Sequence, residues 1–149
     1  MFSITADFSD DELEKTILED VNIIISEMAD RMFQAGKKVV DLARSKTKSE
    51  GGFGNITWNL RGSIGCVLLI NHEIPEEYIY FPPVSKGGEG VKKGIDYARE
   101  IALLVDDGDP VLIMVAGEEY AGYVEALDDY DVISGSVMKF DSLLKSVLK

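Results

Sequence analysis

"SDDELEKTILEDVNIIISEMADRMFQAGKKVVDLARSK", Ser9–Lys46, decides the fold. Ser9-Asp10-Asp11-Glu12 has the form of a capping box: a hydroxyl for an orphan N–H at a helix start, and a glutamate three residues on that reaches back. From there Leu13, Ile17, Val21, Ile24, Met28, Met32, Val39 and Ala43 recur at helical spacing, joined by Leu18, Ile25, Ala29, Phe33 and Val40. The spacing predicts one long amphipathic helix, about Asp10 to Lys46. Gly36 interrupts it at a modest local cost and marks a bend or a close packing contact. The segment opens acidic (Asp7, Asp10, Asp11, Glu12, Glu14) and turns basic (Lys37, Lys38, Arg44, Lys46, Lys48), the order that complements a helix macrodipole. So long a helix has more apolar flank than one small sheet face covers. Core packing is the first use for that flank, and another subunit is the second.

Around this helix the composition fits one domain, residues 1–149, with a real core: 149 residues, of which 46% are hydrophobic. No apolar run approaches the roughly 20 residues that span a bilayer. The acidic N-terminus shows no basic n-region and no h-region, so no signal peptide is expected. Cys66 is the one cysteine, which excludes an internal disulfide and suits a reducing cytoplasm during synthesis. A net charge of −12 argues against general binding to nucleic acid, which needs Lys and Arg for the phosphates.

Downstream, "SEGGFGN", Ser49–Asn55, reads as a loop, and "ITWNLRGSI" as a helical turn that leads into a strand. "GCVLLIN", Gly65–Asn71, reads as a buried strand and "EEYIYF", Glu76–Phe81, as a second, so turn and strands occupy 57–81. "SKGGEG", Ser85–Gly90, is expected to be a flexible turn. A helix follows over Val91–Asp106, stopped by "DDGDP". "VLIMVAG", Val111–Gly117, the most apolar short run, is expected to be a central strand. Over 111–149 come that strand, a short helix in "EEYAGYVEAL", a short strand or extended segment in "YDVIS" and a closing helix "GSVMKFDSLLKSVLK". The order predicts an α+β fold: a long N-terminal amphipathic helix on a small, mostly antiparallel sheet, with two or three further helices.

No chemical motif emerges. His72 is the one histidine, with no second for an H-E-x-x-H site, and no G-x-S-x-G occurs. "GGEGVKKG", Gly87–Gly94, fails both phosphate patterns: Lys93 precedes Gly94 rather than Ser or Thr, and the third glycine falls one position late. "DDGD", Asp106–Asp109, and "DDYD", Asp128–Asp131, lack EF-hand spacing and read as turns. Trp58 with Tyr78, Tyr80 and Phe81 lacks the basic groove of a base-stacking platform. No cofactor and no metal is expected.

Two segments carry a resemblance. "LIMVAGEEYAGYVEALDDYDVISGS", Leu112–Ser136, resembles the strand–"NYAxYVE"–"DVL" segment of the neck or tail-completion (head–tail joining) proteins of tailed phages. "GNITWNLRGSIGCVLLINHE", Gly54–Glu73, is similar to that family's "TGNLRxSI" turn and following strand. With the long helix and "GVKKGIDYAREIALLV" in the expected order, the resemblance spans about Leu13 to Leu148. It is nearest to versions from phages and prophages of Bacteroides-like bacteria. Ile56-Thr57-Trp58 replaces the usual Thr-Gly, and Glu119 stands where Asn is common.

The resemblance implies a virion structural protein rather than an enzyme. It would form a homo-oligomeric ring, often of six, that bridges neck, connector or tail-tube proteins. DNA would pass through without specific binding, and no membrane is involved. It places the chain in the virion, and in the host cytoplasm during assembly. Its motif residues are Asn59, Leu60, Arg61, Ser63, Ile64, Tyr120, Tyr123, Val124 and Glu125. In that frame Tyr120, Tyr123 and Val124 anchor the short helix to the sheet. Glu125 makes a cap or an inter-subunit contact, and Arg61 fixes the turn or pairs with a neighbour's acid. Two other readings stand beside it. One is a small cytoplasmic ligand-binding or regulatory module, which a concave apolar pocket with convergent polar groups favours. The other is a small hydrolase or transferase that uses His72 or paired carboxylates.

Overall fold

The computed structural model describes residues 2–5, 7–54, 56–106, 108–127 and 130–149. Helix α1 runs Asp10–Ser45, and both halves of its capping box form: Ser9 Oγ accepts the Glu12 N–H at 3.2 Å and Glu12 Oε2 accepts the Ser9 N–H at 3.0 Å. Gly36 is a close packing contact: a Cβ there would stand 2.9 Å from the Leu112 side chain. A 3₁₀ turn, Lys48–Glu50, and a four-residue helix α2, Asn59–Gly62, lead into strand β1, Ile64–Leu69. A 3₁₀ turn and the two-residue strand β2, Ile79–Tyr80, precede helix α3, Gly88–Ala102. Strand β3, Val111–Ala116, and the short helices α4, Ala121–Ala126, α5, Ser134–Val137, and α6, Phe140–Val147, complete the chain.

The sheet is antiparallel in the order β2-β1-β3. This corrects the expectation for "VLIMVAG": β1 is the central strand and β3 an edge. All six residues of β1 are buried because it has helices over both faces, and such a strand reads as a continuous apolar run. Side chains alternate between two cores. Ile64, Cys66, Leu68, Leu112 and Met114 face α1, with Phe33, Val40 and Ala43. Val67, Ile113 and Val115 face α3, with Ala98. β2 obeys the same rule, with Tyr78 and Tyr80 towards α1 and Ile79 and Phe81 towards α3. Trp58 lies elsewhere, so the four aromatics form no common platform.

Three other expectations change. "SKGGEG" is not a flexible turn throughout: α3 begins inside it, after Gly87 in the left-handed region, and Gly90 and Gly94 are buried against α2 and β1. "YDVIS" forms a single bridge between Asp131 and Gly52 rather than a strand, and the closing helix is split into α5 and α6. His72, with Asn71, forms a tight hairpin turn at positive φ, 62° and 51°, and is exposed.

The first half of α1 lies outside both cores. Leu13, Ile17, Leu18, Val21, Ile24 and Met28 are each 43–57% exposed, and nothing from Asp10 to Met28 is buried. Leu144 of α6, and Leu148 just after it, lie beside Ile24 and Met28. Full burial of a Leu, Ile or Val stabilises by about 1.5–3 kcal/mol, so this arm forgoes several kcal/mol of burial. Among the described residues, no helix is long and apolar enough to cross a membrane.

Candidate functional site

The loop after α1, helix α2, one turn of α3 and helix α4 enclose a cleft of about 640 Å³. Its walls are apolar and largely aromatic: Phe53, Trp58, Leu60, Tyr120, Tyr123 and Tyr130. Trp58 stands before α2 with φ 67°, in the left-handed region. A bulky residue is held there only when its surroundings over-determine it, at a cost of about 1–3 kcal/mol.

One polar pair faces this apolar wall. Glu118 follows β3, with 2% of its side chain exposed, and its Oε2 accepts a hydrogen bond from Lys93 Nζ at 2.9 Å. Its Oε1 is buried and finds no donor among the described residues. The bond to Glu118 holds the Lys93 ammonium above its ordinary pKa. Lys93 reaches the cleft because Gly90 and Gly94, on either side, let α3 approach α2 and β1 closely. The Glu118 N–H donates to Ser63 Oγ at 3.2 Å, and that hydroxyl donates to the Leu60 carbonyl at 2.8 Å, which ties β3 to α2.

The motif residues divide into three groups. Asn59, Leu60, Tyr120, Tyr123 and Val124 all line the cleft, although they come from segments some sixty residues apart. Tyr120 and Tyr123 do not anchor α4 to the sheet; they are 43% and 70% exposed, and Ala121 and Val124 pack on the core instead. Arg61, Ser63 and Ile64 lie behind the cleft. Arg61 is buried, donates to the Lys46 and Phe53 carbonyls at 2.9 and 3.5 Å, and stacks on the Phe53 ring, so it fixes the turn. Glu125 points away and caps a backbone turn, accepting from the N–H groups of Val132, Ile133 and Ser134 at 2.8–3.1 Å.

Beside the cleft lies a hollow that shares Lys48, Phe53, Gly54 and Trp58 with it. Arg44 crosses this region, donating to the carbonyls of Arg61, Gly62 and Pro82 at 2.6–3.2 Å; burial lowers its pKa from the ordinary value. Lys46 pairs with Asp131. Sequence reasoning gave no role to Lys93, Glu118, Phe53 or Tyr130. The available signal was an acid placed directly after an apolar strand and its glycine.

Among the described residues no cluster of three His, Cys, Asp or Glu side chains suits a metal ion. Asp107, Asp128 and Asp129 of the two acidic turns lie outside the described residues. The cleft offers aromatic surface, one buried carboxylate with a spare oxygen, and a lysine. No family model, no curated protein and no solved structure matches this chain.

Proposed function

We propose that this chain is a structural protein of the neck or tail end of a tailed phage, a tail-completion or head–tail joining protein. It acts by forming a homo-oligomeric ring that bridges neck, connector or tail-tube proteins. The observation that supports this reading best is the apolar arm of α1, Asp10–Met28, which the monomer leaves in water. Contiguous apolar surface of this kind marks an interaction site. The two segments that resemble the phage family also meet at one cleft. Net acidity suits a ring through which DNA passes without sticking.

The test is proteomic. A lysogen that carries the gene is induced, its particles are purified on a density gradient, and the chain is sought by mass spectrometry. The expected result is a ring's worth of copies per particle. Complete particles without the chain would overturn the reading.

The cleft itself favours a second reading, a small ligand-binding or regulatory module. Its volume and its few polar groups are those of a small-molecule site. A metabolite retained in native mass spectrometry of the purified chain supports that reading; only bare protein counts against it.

A further inference from the structure

The molecule carries two unsatisfied surfaces of opposite character. One is convex: the α1 arm, with Ile17, Val21, Ile24 and Met28 at alternating spacings of four and three residues. From Asp7 to Asp30 the sequence has nine carboxylates against the single Lys15, a net −8 of the total −12. The other is concave: the aromatic cleft and the hollow beside it. Arg44, Lys46, Lys48, Arg61 and Lys93 line them, against Glu118 as the one acid among those lining residues. Lys46 and Lys93 already have carboxylate partners, while Lys48 is exposed and has none among the described residues.

Charge and length decide how these surfaces are used. Two arms packed on each other would bring −8 against −8, which disfavours self-pairing along the stripe. Nor can an arm reach the cleft of its own chain. The arm and the cleft's basic rim lie towards opposite ends of one continuous helix, and Ile17 is about 40 Å from Arg44 at 1.5 Å per residue. Resting on the ring reading above, we propose that the α1 arm of each copy docks in the aromatic cleft of the next. Acidic flanks meet the Lys48 rim, and the aliphatic stripe covers Trp58, Tyr120 and Tyr123. The contact is head-to-tail, between different patches on the two copies. Such contacts generate closed rings when the rotation closes and filaments when it does not.

Two variants test it, both changed at exposed positions so that the fold is kept, as circular dichroism checks. The arm variant carries Ile17→Asp and Ile24→Asp; the cleft variant carries Tyr123→Asp and Lys48→Glu. Light scattering after size exclusion reads their mass. The unaltered chain is expected to assemble beyond a dimer, with a blue shift of Trp58 emission and with affinity that falls several-fold as salt is raised. Each variant alone is expected to be a monomer. Mixed, they form a one-to-one dimer and nothing larger, because one supplies an intact cleft and the other an intact arm.

A cleft variant that assembles like the unaltered chain overturns the proposal and leaves the ring reading standing. Assembly strengthened by salt, or a mixture that stays monomeric, also overturns it. So does an unaltered chain that is monomeric at every concentration. The phage reading stands or falls separately, on the particle mass spectrometry.

Discussion

Ser63 shows how much one small side chain carries here. It has no exposed surface, its hydroxyl bonds Leu60 and Glu118, and its carbonyl accepts the Gly117 N–H at 3.1 Å. It thus joins the α2 turn to the end of β3 and sets the height of Glu118 in the cleft. Ser63→Ala leaves a buried carbonyl and a buried N–H without that partner. Loss of about 1–3 kcal/mol of stability is expected, read as a lower urea midpoint with an unchanged slope. A midpoint within error of the unaltered chain would refute this account of the joint. The sequence placed Ser63 in a motif but not in this role, because the β3 end that it joins, at Gly117 and Glu118, is more than fifty residues away.

At the scale of elements, α3 is set by its glycines. A Cβ on Gly94 would stand 2.5 Å from both the Ser63 carbonyl and the Phe81 ring, and one on Gly90 would collide with the Asn59 backbone. Gly90→Ala meets backbone rather than a movable side chain, so its cost is expected at the upper end of the about 1–3 kcal/mol typical of overpacking. The same substitution at Gly88, where a Cβ meets nothing, is the control and is expected to be neutral or mildly stabilising. Thermal unfolding of the two variants measures the difference. Helix α1 is also not uniform. Its second half buries Phe33, Val39, Val40 and Ala43, while its first half buries nothing. Amide exchange is therefore expected to be fast over residues 10–27 and slow over 33–43 in the monomer. Equal protection along the helix would contradict an unpartnered arm.

For the whole molecule, the titrating groups that the fold disturbs most act in one direction. Burial pushes the Cys66 thiol up to about 12. The hydrogen bond to Asp30, at 2.6 Å, pushes Tyr78 up to about 12, and burial with a bond to Asp41, at 2.8 Å, does the same for Tyr80. In each case the fold holds a proton that the unfolded chain releases first, near pH 8.5 for a free thiol and about 10 for a free phenol. Their contribution is complete below those values and is lost as pH rises towards 12. Urea midpoints are expected to hold up to about pH 8 and to fall by pH 10.5. Tyr78→Phe together with Tyr80→Phe lessens that fall. A midpoint unchanged at pH 10.5 would remove these groups from the account.

The sequence by itself determined the long helix and its capping box, the α+β class and the antiparallel strands. These follow from short-range rules: a period of 3.6, a cap three residues long, apolar runs bounded by turns. The resemblance grouped Asn59, Leu60, Arg61, Ser63, Ile64, Tyr120, Tyr123, Val124 and Glu125 without distinguishing among them. Only the tertiary structure decided that Asn59, Leu60, Tyr120, Tyr123 and Val124 share a cleft while the other four lie outside it, that Tyr120 and Tyr123 face solvent there, and that Glu118 and Lys93 form its polar pair. Only it decided that β1 rather than β3 is central, since strand order depends on which helix covers which face. The same holds for α1. Periodicity marks an apolar stripe along its whole length, but where the body of the protein ends is fixed by the reach of the sheet and of α6, and no local pattern in the helix records that.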